Sequence, residues 1–265
     1  MATTEDVIKP DHGASTARHP LFTEEHDQLR ESIRGFVTRE FAPHAEEWEE
    51  TTFPDECFRK LGEQGFLGLD KPEELGGQGG DYASAIVLAE EMAHARSGGL
   101  AMGVGVQTDM AMPPIIAFGT DEQKQEWVVP AIQGDKILSL GLTEPDAGSD
   151  VAGIKTHAVR DGDDWVINGS KTYITNGHRS DVIVLVTKTD PDAGYGGFTL
   201  FLVPMDTPGV IREKRLQERM RELHELARSI THHLEEAASI CSFGSAVSRI
   251  AKVENLRLDE PALRT

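Results

Sequence analysis

The apolar residues of this chain change their spacing once, near Lys136, and that change constrains the fold more than any other feature of the sequence. Before it they recur every three to four residues. Thr23 to Phe41 puts Leu29, Ile33, Phe36, Val37 and Phe41 on one helical face, with Pro43 as a stop. A second helix is expected from near Pro54, with Phe58 and Leu61 turned inward and Gly65 ending it. The loop from Pro72 to Gly80 holds four glycines, after which Asp81 caps a helix whose inner face is read as Tyr82, Ala85, Ile86, Ala89 and Met92. Thr120 and Gln123 make a capping box for a helix through Trp127.

Beyond Lys136 the runs are short and rich in strand formers, separated by Asp161-Gly162, Asn168-Gly169 and Asn176-Gly177, where glycine supplies positive φ in a tight turn. Strands are expected over 137–142, 154–160, 164–167, 171–174, 182–187 and 198–203. Such hairpins favour an antiparallel, barrel-like arrangement. The final stretch returns to helical spacing, with Leu216, Met220, Leu223, Ala227, Ile230, Leu234 and Ala237 forming a heptad-like stripe. The expectation is an α+β chain: a flexible N-terminus over 1–20, a helical domain over 21–135, a β-barrel-like middle domain over 136–216 and an atypical helical tail over 217–265.

Composition narrows the function classes. In 265 residues, 38% hydrophobic content suffices for sizeable cores. A formal charge of -19 repels phosphate backbones and offers no broad basic surface to anionic lipid, which argues against nucleic acid and membrane partners. Cys57 and Cys241 lie far apart and form no metal-type or redox-type pair. Residues 1–20 carry no apolar signal core and no Arg-rich transit pattern, and no run approaches the ~18 apolar residues that span a bilayer. A cytoplasmic location is the resulting expectation.

Two runs carry chemistry. Leu140-Gly-Leu-Thr-Glu-Pro-Asp-Ala-Gly-Ser-Asp150 is a strand breaking into a loop. Gly148 permits close backbone approach, successive amides there can cradle an anion with the Ser149 hydroxyl as a further donor, and Thr143 can donate at the strand end. Ordinary Asx and Ser turns account for the same residues. In the second run, Trp165 to Gly177, a strand would put Tyr173 and Thr175 on one face, an aromatic beside a hydroxyl. That pair suits the face and edge of a planar heterocycle, and suits a structural cross-strand contact equally.

In this order, the two runs resemble the paired flavin-binding segments of the acyl-CoA dehydrogenase family, a T-E-P-x-A-G-S-D loop followed by an N-G-x-K-x-[WY]-I-T-N-G hairpin. Pro72-Glu-Glu-Leu-Gly-Gly77, Phe118-Gly-Thr-Asp-Glu-Gln-Lys124 and Asp206-Thr-Pro-Gly-Val210 are also similar to family segments. The likeness extends from about Leu21 to Leu216. It implies FAD, with Leu140, Leu142 and Thr143 meeting the flavin ring, Gly148 and Ser149 its ribityl-phosphate side, Ser149 also the acyl-CoA, and Tyr173 with Thr175 the ring near its reactive nitrogen. Tyr173 is a conservative departure where tryptophan is the usual occupant. An acyl-CoA substrate and an electron-transfer flavoprotein as acceptor are implied with it.

In the family's reaction a carboxylate removes the proton α to the thioester while the β-hydride passes to flavin, and that carboxylate comes from a C-terminal helical domain. The residues after Gln217 do not resemble that domain, so the expectation is a truncated chain with no catalytic residue of its own. A non-catalytic remnant that binds flavin or acyl-CoA weakly, and a related flavoprotein acting on a non-CoA substrate, are the alternatives. The tail stripe can pair with another copy of the chain, cover the unfinished sheet or stay a lone amphipathic segment, while Glu222, Glu225, Glu235, Glu236, His224, His232 and His233 read as solvated surface rather than as a base or metal ligands.

Overall fold

The structure, a computed structural model, describes residues 19–213. The expected helical tail and most of the expected flexible N-terminus lie outside the described residues. Among the described residues no helix is long and apolar enough to cross a membrane, and no group of three His, Cys, Asp or Glu side chains converges as a metal site would require.

Helices come first. α1 (Glu24–Glu40), α2 (Ala45–Glu50) and α3 (Glu56–Glu63) are followed by the glycine-rich loop and α4 (Tyr82–Met92). α1 and α4 pack together around a core that includes Ile33, Phe36, Val37, Phe58, Leu61, Val87, Leu88 and Met92. Glu91, 1% exposed, is drawn into this interface because Arg30 and Arg34 reach it with Nη1 and Nε, both at 2.7 Å. The inner face of α4 includes Ala83, Ala85, Val87, Leu88 and Met92, so Ala85 and Met92 turn inward as expected, whereas Tyr82 is 73% exposed and Ala89 also faces out. The expected stripe through Tyr82, Ile86 and Ala89 is therefore rotated from the real one. In a helix this apolar, composition does not single out the buried side, and the Arg–Glu91 contacts from α1 do.

The chain continues through α5 (Gly98–Gly105), a π-helical turn over Val106–Ala111, α6 (Met112–Phe118), the short α7 (Asp121–Gln123), a second π-helical stretch over Lys124–Val128 and α8 (Val129–Gln133). The Thr120 and Gln123 box is formed, the Thr120 N–H donating to Gln123 Oε1 at 2.9 Å and the Gln123 N–H to Thr120 Oγ1 at 3.3 Å. In the first π-turn, fully buried Gln107 donates to the carbonyls of Ala131 and Lys136 and accepts from the Leu138 N–H. One side chain thereby ties the helical half to the start of the sheet.

The sheet is mixed and, among the described residues, open, which corrects the antiparallel barrel-like expectation. β1 (Leu138–Gly141), β2 (His157–Asp161), β3 (Asp164–Asn168), β4 (Val182–Lys188) and β5 (Phe198–Pro204) assemble around β4. β4 pairs parallel with β1 over Val182 to Leu185 and with β2 at Lys188, and antiparallel with β5 along its whole length. Parallel strands need a long crossover and burial on both faces; the chain between Gly141 and Val182 supplies the first, and the apolar run Val182 to Val186 of β4 marks the second.

Of the three glycine turns only one closes a hairpin: β2 and β3 are joined by Gly162-Asp163. The strand expected over 171–174 does not form. β3 ends at Asn168, Tyr173 takes a left-handed φ of 56°, and Asn176 another at 64°. Residues 175–179 are a turn, so the period-two argument that put Tyr173 and Thr175 on one strand face does not hold.

Candidate functional site

The loop after β1 and the segment after β3 lie against each other. The Thr172 N–H donates to the Thr143 carbonyl at 2.9 Å, and Lys171 Nζ donates to the Leu142 carbonyl at 3.0 Å. Both motifs singled out in the sequence are thus brought together, through one backbone bond and the Lys171 side chain rather than a shared strand.

Beneath this junction is a buried ion pair. Glu144, 6% exposed, accepts from Lys171 Nζ at 2.8 Å and from the Lys155 and Thr156 amides at 2.6 and 3.0 Å. Burial works against the carboxylate, but these donors outweigh it and hold the group down to about 2. Burial pushes the Lys171 ammonium below its ordinary range while Glu144 pulls the other way. Three donors converging on one carboxylate are the geometry of an ionised pair. The loop closes on itself above it, with the Glu144 N–H donating to the Ala147 carbonyl at 2.9 Å and the Ala147 N–H to the Glu144 carbonyl at 3.2 Å.

On this frame the sequence-derived residues fall as follows. Leu140 and Leu142 are half-buried and pack with Ala147, Ile154 and Val186. Thr143 and Thr175 are half-buried, Gly148 and Ser149 are exposed, and Tyr173 is 75% exposed on its left-handed backbone. A Cβ at Gly148 would meet nothing within 4 Å, so open space lies over the loop. A non-glycine residue at positive φ is a strained feature that concentrates at functional sites.

A cleft of about 280 Å³ runs behind the loop, lined among others by Glu144, Asp146, Lys155, Thr156, Asn168 and Ser170. Thr156 Oγ1 is buried there with no hydrogen bond of good geometry and leans on the Glu144 carboxylate. Gly169 is required beside it: a Cβ would come within 2.3 Å of Thr156 Oγ1.

Sequence reasoning missed Lys171 and the buried role of Glu144. The signal was a carboxylate flanked by an apolar strand and a lysine in the second motif. It also missed Asn176, whose Nδ2 donates to the Gly103 and Leu138 carbonyls at 2.8 and 3.3 Å and pins the turn carrying Thr175 to both halves of the fold. Asp150 precedes a short helical turn at Val151–Gly153 but makes no side-chain cap bond.

Residues 23–135 match the domain described as acyl-CoA dehydrogenase, N-terminal domain, and residues 139–226 match the acyl-CoA dehydrogenase, middle domain. The chain is 39% identical over 201 residues to the mitochondrial long-chain specific acyl-CoA dehydrogenase of Sus scrofa, an alignment covering 75% of this chain and 46% of that protein. It is similar to the crystal structure of an acyl-CoA dehydrogenase from Geobacillus kaustophilus, at 41% identity and a TM-score of 0.71, covering 76% of this chain and 53% of that one. A glutaryl-CoA dehydrogenase from Mycobacterium smegmatis, solved in complex with FADH2, is 36% identical with a TM-score of 0.68, covering 74% and 50%. The chain spans about half the length of the relatives it matches. Over these residues it belongs to the acyl-CoA dehydrogenase family, of which it carries the N-terminal and middle domains.

Proposed function

We propose that this chain holds FAD against the junction of its two motifs and serves the α,β-dehydrogenation of an acyl-CoA thioester. The observation that carries the reading is the Thr172 N–H bond to the Thr143 carbonyl, which joins the loop after β1 to the segment carrying the exposed Tyr173. The residues suit a flavin: half-buried leucines and Tyr173 offer apolar area, Thr143 and Thr175 offer hydroxyls, and Gly148 leaves room above the loop. FAD, when bound, supplies the acceptor for the hydride.

In this reading Leu140, Leu142 and Thr143 meet the ring, Gly148 and Ser149 its ribityl-phosphate side, with Ser149 also touching the acyl-CoA, and Tyr173 and Thr175 lie near the reactive nitrogen. Hydroxyl and amide donors fixed before reaction stabilise negative charge as it develops, without reorganising. The Glu144–Lys171 pair keeps those donors in place rather than moving protons. A carboxylate held at about 2 is a poor base near neutrality, and Glu144 is already committed to three donors. The base for the α-proton is therefore sought outside the described residues.

An electron-transfer flavoprotein is the proposed acceptor of the electrons. A cytoplasmic location is part of the proposal, in keeping with two cysteines too far apart in sequence to suggest a redox pair. The second reading is a chain that binds flavin or acyl-CoA without turnover, and what favours it is that Glu144, the buried carboxylate at the junction, is committed to three donors and is a poor base.

One experiment separates the two. The purified chain is loaded with FAD and mixed with an acyl-CoA without oxygen. Bleaching of the visible flavin band supports dehydrogenation. A bound flavin that stays oxidised supports the non-catalytic reading, a chain that takes up no FAD contradicts the first reading, and one that takes up neither FAD nor acyl-CoA contradicts both.

A further inference from the structure

The turn that follows Thr175 is held from a second side by a residue that neither motif contains. The Arg179 side chain is 11% exposed. Its Nη1 donates to the Phe53 carbonyl at 2.9 Å and to Asp55 Oδ1 at 2.7 Å, and its Nη2 donates to Thr52 Oγ1 at 2.6 Å. The guanidinium carbon also lies 4.0 Å from the centroid of the buried Phe53 ring. A planar, permanently charged fork stacked on an aromatic face and bonded to three groups loses little further freedom, which makes it a stiff connector.

Phe53 closes the circuit. A Cβ at Gly103 would lie 3.0 Å from both the Phe53 ring and Asn176 Oδ1, so glycine there lets α5 approach the two at once without either having to give way. Asn176 in turn donates to the Gly103 carbonyl. The turn over 175–179 is thereby gripped at one end by Asn176 on α5 and at the other by Arg179 on the loop before α3.

We infer that Arg179 is a positioning residue for the flavin-facing turn: it acts on bound FAD through the backbone between Thr175 and Arg179, 124 or more residues from the loop it grips. The inference rests on the flavin reading above and adds to it a residue that does not touch the cofactor. Without the clamp, ligand binding must itself order the turn, and the affinity falls by the cost of that ordering.

The test measures FAD dissociation constants and visible flavin spectra for the full chain and four variants. Arg179→Met removes the charge and every donor, and Thr52→Val and Asp55→Ala each remove one arm on the exposed loop. Arg179→Lys keeps the charge over Phe53 and a single donor. The expected result is about ten-fold weaker FAD binding by Arg179→Met with an altered band shape, smaller effects of the arm variants, and partial recovery in Arg179→Lys. If Arg179→Met fails to fold by far-UV circular dichroism, the two arm variants decide the matter. Variants that lose stability but keep the wild-type dissociation constant and band shape overturn the inference and leave the flavin reading standing. A wild-type chain with no affinity for FAD overturns both.

Discussion

Lys171→Met tests the frame on which the site is built. In the wild-type fold the Glu144 carboxyl is held at about 2 instead of 4.5, which at 1.36 kcal/mol per pH unit makes its ionised form about 3 kcal/mol more favourable in the folded chain than in the unfolded one. Among the described residues Lys171 supplies the only side-chain cation that hydrogen-bonds Glu144, at 2.8 Å, and both side chains are buried, 7% and 5% exposed. Removing one partner of such a pair leaves an uncompensated charge and costs roughly 3–5 kcal/mol. Because the two backbone amides remain, the lower end, ~3 kcal/mol, is expected.

The pH dependence gives the test its sign. A folded-state carboxyl depressed below its unfolded value contributes stability that is fully present above about 4.5 and is lost as pH falls towards 2. In Lys171→Met the same carboxyl keeps its burial and loses its cation, so it protonates at higher pH and has less stability to lose on acidification. The difference between the two proteins is therefore largest at pH 7 and shrinks below about pH 4. Urea unfolding followed by tryptophan fluorescence at pH 7, 5 and 3.5 measures it. A loss at pH 7 under about 1 kcal/mol, or a loss that does not change with pH, refutes the argument. Combining Lys171→Met with Glu144→Gln should cost less than the sum of the two, because the charge no longer needs a partner.

Three further outcomes follow from the same structure. Thr175→Val should weaken flavin retention or shift the flavin spectrum; unchanged binding would mean that this hydroxyl faces elsewhere. Gly169→Ala forces a Cβ within 2.3 Å of Thr156 Oγ1 and 2.7 Å of its Cα, at a φ of +154°, and should cost about 2 kcal/mol in urea unfolding. Burial pushes the Cys57 thiol up to about 12, so in a Cys241→Ser background it should resist an aromatic disulfide reagent at pH 8 until denaturant is added. Rapid labelling of the native chain would show that the thiol is not enclosed in the core.

What the sequence reveals here follows from how far each interaction reaches. The helices were legible because their causes are local: spacing of three and four, a capping box at Thr120, a proline at position 43. The positions of β1, β2, β3, β4 and β5 were legible for the same reason, but not their pairing. Whether Leu138 lies beside Val182 is decided across more than forty residues, and an Asn-Gly dipeptide carries no record of what its asparagine will grip. Asn176-Gly177 illustrates the point. Its composition is that of a hairpin turn, yet the Asn176 amide is bound to carbonyls of α5 and β1, and that capture bends the chain out of the strand that Tyr173 and Thr175 were expected to share. Glu144 and Lys171 were similarly readable as residue types and unreadable as a pair, because each is an ordinary charge until burial makes the other necessary. The motif residues thus state which chemistry the surface offers, whereas Lys171, Asn176 and Arg179, which hold that surface in shape, are found only once the fold has brought their partners to them.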